Sequence, residues 1–383
     1  MSSALNRKTK FHPDAEQSAT LPGYYYYDPR IFELEKERIF FRTWQLAGYL
    51  ADLSQPGDYV TVQLFDQNII VARGRDRRLR AFYNVCQHRG HELLIGRGRT
   101  NTITCPYHAW SYDLQGRLKA AGNSENVAGF DLADFGLTEV RVEEFAHMAF
   151  INLDVNAPSL ASQAGELAQQ MREVIPHFDD LKLVRRDPFS IKANWKFIFD
   201  ALECYHCPHI HSSKMGSKDS FMLPSFDSTE HGIWSHHVAR GNREVIEGNK
   251  RNLNFLGQTN EIKDVHIWWL WPNVIFVAHL GPPNLKVMHG MPIGPEQSFE
   301  HIDNFCVNDP PTEVELAGMN RFRDITQPED IGPMESQQRG THSRGYSSGR
   351  LMVDAERSWR SEHGVHHFNK LVWEALNGPT YEA

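Results

Sequence analysis

One nine-residue stretch, residues 203–211, concentrates side chains that bind metals or carry redox chemistry. It reads ECYHCPHIH, with one carboxylate, two thiols and three imidazoles. This composition is compatible with a zinc site, with dithiol chemistry or with a buried polar helix end. We interpret Cys204 and Cys207 as packing residues, because a free cysteine behaves as a small buried hydrophobe.

The spacing within this stretch favours a shared site for two of its histidines. The preceding run NWKFIFDAL favours a helix over 194–207, on which Glu203 and His206 stand three residues apart on one face. Pro208 disfavours helix at the residue before it, so we expect the helix to end near Cys207 and the chain to turn. Beyond that turn His211 can swing back toward the same site.

Two histidines and one carboxylate, bound on one face of a metal, leave open positions for dioxygen beside a substrate. Such a set would suit a non-haem ferrous site, which stands here beside zinc binding, dithiol chemistry and a buried helix end. His209 remains the alternative to His211 as the second ligand.

A second set of ligand-type residues lies earlier in the chain. The motif Cys86-x-His88 is followed, after sixteen intervening residues, by the motif Cys105-x2-His108. Each of the two motifs offers one thiol and one imidazole. A C2H2 zinc finger instead pairs Cys with Cys and His with His. A Rieske cluster needs the pairing seen here, because one iron takes two thiolates and the other takes two imidazoles. A structural zinc site is the alternative.

The elements around these residues change character along the chain. Residues 29–41 suit an amphipathic helix, with a proline at the first position. From about 46 to 155, short apolar runs broken by Gly, Pro, Asn and Asp indicate a small β domain with the metal-type residues in its loops. After 156, helix-compatible segments (194–207, 330–339, 352–375) and strand-compatible ones (265–280, 285–293, 298–307) indicate an α+β domain. Polar stretches at 212–220 and 240–261 look like long loops.

Composition excludes several classes of function. Forty basic and forty-eight acidic residues give a formal net charge of −8, with no long basic run, so we expect no nucleic-acid partner. The first residues lack the apolar core of a signal peptide, and no run is apolar enough for a membrane span, which predicts a cytoplasmic protein. Five cysteines are a sparse set with an odd number, which disfavours a disulfide framework.

The pattern C-x-H-R-G…C-x-Y-H-x-W at 86–110, followed by the second His-rich cluster, resembles the oxygenase (alpha) subunits of Rieske non-haem iron oxygenases. The resemblance implies an α+β chain with an all-β Rieske [2Fe-2S] domain inserted ahead of a helix-grip (START-like) catalytic domain with an antiparallel sheet and helices. We assign residues 1–45 to an N-terminal tail and helix packing on the catalytic domain, 46–155 to the Rieske domain and 156–383 to the catalytic domain.

The same resemblance implies two sets of ligands. The [2Fe-2S] cluster would be held by Cys86, His88, Cys105 and His108. The mononuclear Fe(II) would be held by His206, His211 and a carboxylate from PEDIGPMESQQRG at 328–340. Asp330 is our choice for that carboxylate, with Glu329 and Glu335 as alternatives, and Asp330 could instead be an ordinary acid at a helix N-terminus.

The resemblance implies a role other than iron binding for Glu203. The family's carboxylate three residues before the first iron histidine bridges a cluster histidine of one subunit and an iron histidine of its neighbour, here His108 and His206. A carboxylate that accepts from a histidine N–H is a common way to orient the ring. Bridging between subunits implies a ring, and the family is commonly trimeric. Most members carry Asp at this position, whereas this chain has Glu.

Electrons must come from outside the chain. Monooxygenation needs two electrons, and no G-x-G-x-x-G motif is present, since GRGRTN at 96–101 lacks the third glycine and the strand-to-helix setting. A separate reductase is therefore expected, by resemblance one with flavin and a ferredoxin-type cluster that oxidises NADH or NADPH.

The substrate is less firmly indicated. In HIWWLWPNVIF at 266–276, Trp269 and Trp271 share one strand face and could cage a quaternary ammonium by cation–π attraction. The alternative is that they fill a sheet core. LECYHCP and the WPN segment resemble the branch that acts on glycine betaine, carnitine and choline.

We therefore expect hydroxylation next to nitrogen in a small quaternary or N-methyl amine, ending in demethylation with formaldehyde release. Aromatic or heterocyclic ring oxygenation is the alternative within the family. An electron carrier or a zinc-stabilised interaction protein is the alternative outside it, but such a protein would need only the first set of ligands.

Overall fold

The computed structural model describes residues 10–200, 202–203, 206–212, 214–215, 220–248 and 261–378, and these form two compact units. One unit is Lys36–Gln163, and the other joins the chain before Lys36 to the chain from Ala164 onward. The divisions fall at 35/36 and 163/164, whereas we expected them at 45/46 and 155/156. Residues 36–45 belong to the first unit because Lys36 and Phe40 pack on the ring of Phe65.

The Lys36–Gln163 unit is built from antiparallel strands. They are β1 (Gln45–Tyr49), β2 (Asp58–Leu64), β3 (Gln67–Arg73), β4 (Leu79–Tyr83), β5 (Arg97–Arg99), β6 (Ile103–Thr104), β7 (Ser111–Tyr112), β8 (Leu118–Ala120), β9 (Glu139–Phe145) and β10 (Met148–Asn152). Seven form a sheet in the order β1-β10-β9-β4-β3-β2-β5, and β6-β7-β8 form a smaller one. Alternate residues of β3 enter two different cores, so this central strand is buried on both faces.

The second unit is organised around another antiparallel sheet, with the order β11-β17-β16-β15-β14-β13-β12. Its strands are β11 (Lys182–Ile191), β12 (Asp227–His231), β13 (Trp234–Ala239), β14 (Val265–Leu270), β15 (Val274–Ala278), β16 (Asn284–Gly294) and β17 (Gln297–Cys306). In the register of β16 and β17, Lys286 lies opposite Asn304 and Gly290 lies opposite Glu300. Directly paired residues share a face, so one face of the sheet carries all four.

The helices of the described chain are mostly short. They are α1 (Pro29–Glu35), α2 (Leu160–Ala164), α3 (Leu167–Val174), α4 (Lys196–Phe199), α5 (Cys207–Ile210), α6 (Arg243–Gly248), α7 (Glu313–Arg321), α8 (Gln327–Thr341) and α9 (His363–Asn377). A π-helical segment, Phe322–Thr326, joins α7 to α8. The end of α1 is anchored in the second unit, because Glu35 is fully buried and accepts hydrogen bonds from Trp195 and Lys196.

Several expected elements are confirmed and two are wrong. Helix α8 and strands β14 to β17 lie where the sequence predicts them, with β14 and β15 as a hairpin inside 265–280. The continuous helix predicted over 194–207 is wrong, since only the single turns α4 and α5 form and the described residues between them are not helical. Pro208 lies in the first turn of α5 and so begins a helix rather than ending one, because the first turn needs no backbone donor from proline.

Of the two expected loops, 249–260 and parts of 212–220 lie outside the described residues. No helix in the described ranges is both long and apolar enough to cross a membrane.

Candidate metal centres and an adjoining cavity

Two loops of the Lys36–Gln163 unit bring the first set of ligand-type residues together. One follows β4 and carries Cys86 and His88, and the other joins β6 to β7 and carries Cys105 and His108. The His88 and His108 rings lie 4.8 Å apart between centroids. These residues therefore meet at one point, in loops as the sequence predicts.

The two loops repeat one backbone pattern. The N–H of Cys86 and that of Cys105 each donate to the carbonyl five residues further on, at 2.8 Å in both loops. Four residues after each cysteine, Gly90 (φ +73°) and Ala109 (φ +59°) adopt left-handed conformations and return their N–H groups to the cysteine carbonyls at 3.0 Å. This closes each loop tightly.

The cysteine thiols and the histidine imidazoles differ in burial. The free thiols of Cys86 and Cys105 are buried, whereas His88 and His108 are exposed. His88 is stacked on Trp110 at 4.8 Å, which holds its ring in place. Two buried thiols behind two exposed imidazoles fit a Rieske cluster, whose irons take one kind of ligand each.

The second centre has two histidines, each oriented by a carboxylate. The Nδ1–H of His206 donates to Glu203 Oε2 at 2.5 Å, and the Nδ1–H of His211 donates to Glu329 Oε2 at 3.0 Å. These bonds fix the tautomer and leave each Nε2 lone pair for a metal. His211 Nε2 lies 3.4 Å from Asp330 Oδ1. The two imidazoles and Asp330 therefore offer the types of donor that a two-histidine, one-carboxylate iron site uses.

Two elements position this centre. His206 and His211 flank the single turn α5, with ring centroids 6.3 Å apart. Glu329 and Asp330 lie near the start of α8, which continues without a break from the π-helical segment Phe322–Thr326. The expected return of His211 to the site of His206 occurs, although one turn of helix follows Pro208 instead of preceding it.

The charges at this centre depend on burial. Burial raises the pKa of Asp330 to about 6, partly opposed by His211 and His206. Burial alone would lower the pKa of His206, but its hydrogen bond to Glu203 and the attraction of Glu203 and Asp330 together outweigh burial, so the pKa is raised. A divalent cation among these groups would stabilise ionised Asp330 and neutral imidazoles, which are the forms that bind metals.

The structure also places the alternative ligands. His209 is exposed, and Glu335 accepts a hydrogen bond from the backbone of Lys192 at 3.0 Å, away from the histidines. Donor atoms of His206, Cys207 and His211 lie within 4.8 Å of one another, so proximity alone would admit the sulfur. Cys207 is disulfide-bonded, however, so it offers no thiolate, and its interpretation as a free packing cysteine is wrong. Cys204 lies outside the described residues.

A cavity of about 240 Å³ adjoins the second centre. His206, His211 and Asp330 line it where α5 and α8 approach each other. Its walls are mainly apolar and come from the sheet and from α7 and α8, including Ile267, Ile275, Val277, Met288, Met319 and Met334. A buried apolar chamber that opens onto metal-binding side chains suits a small substrate.

Trp269 and Trp271 lie elsewhere, so the structure does not support the expected tryptophan cage. Neither is among the described residues that line the cavity. Both pack on α9, where the Trp269 and Trp271 rings lie 5.5 Å and 6.2 Å from that of Phe368. Trp269 shares a sheet face with the cavity residue Ile267, but α9 covers that end of the strand. Their packing fits the alternative interpretation, in which these tryptophans fill a core.

Two charged residues of the cavity wall were missed by the sequence analysis. Glu300 is fully buried and accepts a hydrogen bond from Gln327 at 2.5 Å, while its Oε1 has no hydrogen-bond partner among the described residues. Lys286 is also buried and lines the cavity. The signal in the sequence was a charged residue at a position of a strand that points inward. These residues are Lys286 in NLKVMHG and Glu300 in SFEHIDNF.

Comparison with known families agrees with this arrangement. The family described as "Rieske [2Fe-2S] domain" matches residues 43–131, and "Ring hydroxylating alpha subunit (catalytic domain)" matches residues 178–378, more than half of the chain. The chain belongs to the alpha subunits of the Rieske non-haem iron oxygenases. It is an oxygenase with a Rieske [2Fe-2S] cluster and a mononuclear non-haem iron, and the resemblance drawn from the motifs is confirmed.

Its relatives include named monooxygenases. The carnitine monooxygenase oxygenase subunit of Escherichia coli (strain K12) is 38% identical over 365 residues, which is 94% of this chain and 95% of that protein. That of Acinetobacter pittii is 37% identical and covers 97% of this chain and 99% of its own. The chloroplastic choline monooxygenase of Amaranthus tricolor is 30% identical, over 95% of this chain and 79% of that protein.

Solved structures give the same family. The quaternary ammonium Rieske monooxygenase CntA matches with a TM-score of 0.84 and 35% identity, over 96% of this chain and 98% of that one. Its complex with L-carnitine matches with a TM-score of 0.82. A naphthalene 1,2-dioxygenase from Rhodococcus sp., 19% identical with a TM-score of 0.76, shares the fold alone.

Proposed function

We propose that this chain hydroxylates a carbon attached to nitrogen in a small quaternary ammonium or N-methyl amine substrate, as the oxygenase component of a multi-component monooxygenase. The observation that carries the proposal is the buried, mainly apolar cavity of about 240 Å³ lined by His206, His211 and Asp330. The named activities of the carnitine and choline monooxygenases support the substrate class.

The proposed reaction balances with two external electrons. One oxygen atom of dioxygen enters the C–H bond, and the other leaves as water after taking up two electrons and two protons. The hydroxylated carbon then loses its bond to nitrogen, which keeps the electron pair, while the carbon becomes an aldehyde. Attack on an N-methyl group releases formaldehyde, the outcome expected from the sequence. A separate NAD(P)H-dependent reductase with flavin and a ferredoxin-type cluster supplies the electrons.

We assign the ligands from the geometry of the two centres. Cys86 and Cys105 hold one iron of the cluster and His88 and His108 hold the other. His206, His211 and Asp330 hold the mononuclear iron. When bound, the cluster supplies electrons one at a time and the mononuclear iron activates dioxygen.

The protein's own groups prepare the site for this chemistry. Glu329 holds the His211 ring through Nδ1, and its second oxygen accepts the backbone N–H of Ser212 at 3.0 Å, so ring and backbone are fixed together. This network keeps the pKa of Glu329 below its usual value despite burial, and the carboxylate stays ionised as an acceptor. The apolar cavity walls exclude water from the substrate.

Glu203 links the two kinds of centre in the proposed assembly. One carboxylate oxygen accepts from His206, and the other is assigned to His108 of a neighbouring copy of the chain. In a homotrimer each cluster would then serve the mononuclear iron of the next subunit. Light scattering of the purified protein tests this stoichiometry, and a monomer would contradict it.

The first experiment follows products and dioxygen together. Iron-replete protein, a family reductase and NADH are incubated with betaines, carnitines, choline and simple aromatics. Formaldehyde or trimethylamine, formed in step with dioxygen uptake, supports the proposal. Formaldehyde marks attack on a methyl carbon, and trimethylamine marks attack on the chain carbon bound to nitrogen. Uptake with an aromatic compound alone would overturn the substrate class.

A further inference from the structure

Lys286 is a buried cation that lines the cavity. Its side chain lies on β16, facing inward, and the residue is only 6% exposed. Within the part of the chain that the structure describes, no carboxylate or hydrogen-bond acceptor pairs with its ammonium group. The Nζ atom lies over the ring of Phe322, 5.2 Å from the centroid.

The charged groups around Lys286 are already engaged. Asp187 on β11 is paired with Arg185 at 2.7 Å and accepts a hydrogen bond from Asn304 at 3.0 Å. Burial raises the pKa of Cys306 to about 12, so this neighbouring thiol is protonated and is no counter-ion. A buried ammonium that no residue compensates is costly to keep, and this marks it as a place for an external anion.

The position of Lys286 relative to the metal centre follows from the strand register. Glu300 is tied to the metal end, because its partner Gln327 lies one turn before Asp330 on α8. Lys286 lies opposite Asn304, four residues along β17 from Glu300, which is about 13 Å at about 3.3 Å per residue. The same sheet face therefore carries Glu300 toward the metal centre and the cation Lys286 further along.

The proposed function places a carbon attached to nitrogen at the metal centre, so Lys286 would meet a part of the substrate several bonds away from the ammonium group. A carboxylate at that position would be attracted to the charge of Lys286. We propose that the substrate is an ammonium carboxylate and that Lys286 binds its carboxylate, which makes this lysine a determinant of specificity. The inference rests on the proposed function and names the substrate class more closely.

The test compares two compounds that differ only at the proposed contact. 4-(Trimethylammonio)butanoate and its primary amide carry the same reactive carbons, but only the first has a carboxylate. We expect the wild-type holoenzyme to favour the butanoate by about 10- to 100-fold in kcat/KM, the range for a hydrogen bond to a charged group. Calorimetric binding of both compounds to the holoenzyme, without reductase, should show the same preference.

The variant Lys286→Met keeps the length of the side chain and removes its charge. We expect it to lose the preference mainly through a higher KM for the butanoate, while kinetics with the amide change less than about threefold. Arg321→Met alters the other long basic side chain on the described cavity lining and serves as the matched comparison. Loss of the preference in Arg321→Met but not in Lys286→Met would overturn the assignment.

The outcomes separate this inference from the proposed function. Equal kcat/KM and equal affinity for butanoate and amide in the wild type would overturn the role of Lys286 while the function stands. Turnover of neither compound, nor of any other quaternary ammonium, would overturn both. The wild-type comparison needs no variant to fold, so it decides the matter even if Lys286→Met is unstable.

Discussion

The Nδ1–H of His211 donates to Glu329 at 3.0 Å, and the opposite nitrogen of the same ring lies 3.4 Å from the next residue, Asp330. Two consecutive acids at the start of α8 therefore have different parts, one orienting the imidazole and one facing the metal position. We expect Asp330→Ala to abolish mononuclear iron. Glu329→Gln should retain a site with about 10- to 100-fold weaker affinity, as for other groups that orient metal ligands. Iron titration with chelators measures both, and equal losses would contradict this division.

His211→Ala should remove mononuclear iron and leave the visible Rieske spectrum intact, because the two centres use separate residues. His209→Ala is the matched control, since His209 is exposed and two residues away in the same turn. Iron analysis with absorption spectroscopy distinguishes the two variants. Joint loss of both signals in His211→Ala would refute the assignment of two independent sites.

Glu203→Gln should keep both metals yet stop electron passage between subunits. The amide can still accept from one histidine, but it carries no charge and cannot accept at both ends as a carboxylate does. Single-turnover oxidation of the reduced cluster, triggered by substrate and dioxygen, measures the effect. Near-normal cluster oxidation would remove Glu203 from the electron path.

Binding of the butanoate should weaken at alkaline pH. Burial, with nearby Arg185, lowers the pKa of Lys286 to about 8, and attraction to Asp187 opposes this only in part. The protonated form that binds a carboxylate thus prevails below that pH and is lost above it, so the Kd should rise by about tenfold per pH unit well above 8. The Kd of the amide should not follow this curve. Calorimetry between pH 6.5 and 9.5 checks the difference.

The buried pair Lys196 and Glu35, 2.5 Å apart and fully inaccessible, should matter for stability. Lys196→Met leaves a carboxylate uncompensated in the interior, which we expect to cost about 3–5 kcal/mol of unfolding free energy. The exposed pair of Arg172 and Asp179 provides the comparison, and Arg172→Ala should cost less than about 1 kcal/mol. Thermal unfolding ranks the two, and similar effects would contradict the argument.

How much of the centres could be read from the sequence depended on local spacing. The loops of Cys86 and Cys105 are closed by hydrogen bonds within six residues, so their motif contains what forms them. His211 was preferred over His209 on the family resemblance, since Pro208 precedes both histidines. The course of the helix around Pro208 was predicted wrongly, because proline is accepted in a first turn as readily as it stops a preceding helix.

Residues that act across the fold could not be found in this way. Lys286 and Glu300 owe their positions to strand pairing, and Glu329 meets His211 over more than a hundred residues of chain. Trp269 alternates correctly with Ile267 toward one sheet face, yet its surroundings are decided by α9, which the local pattern does not contain. Periodicity gives the face of a strand but not the neighbour that covers it.

The pairing of β16 with β17 sets a fixed distance within the cavity wall. Because Lys286 is paired with Asn304 and Gly290 with Glu300, the spacing between Lys286 and Glu300 is set by backbone hydrogen bonds rather than by flexible side chains. A slip of one residue would turn Lys286 to the opposite face. A substrate of suitable length, with an ammonium group at one end and a carboxylate at the other, then presents the same carbon to the metal each time. The sheet thereby selects the atom that is oxidised.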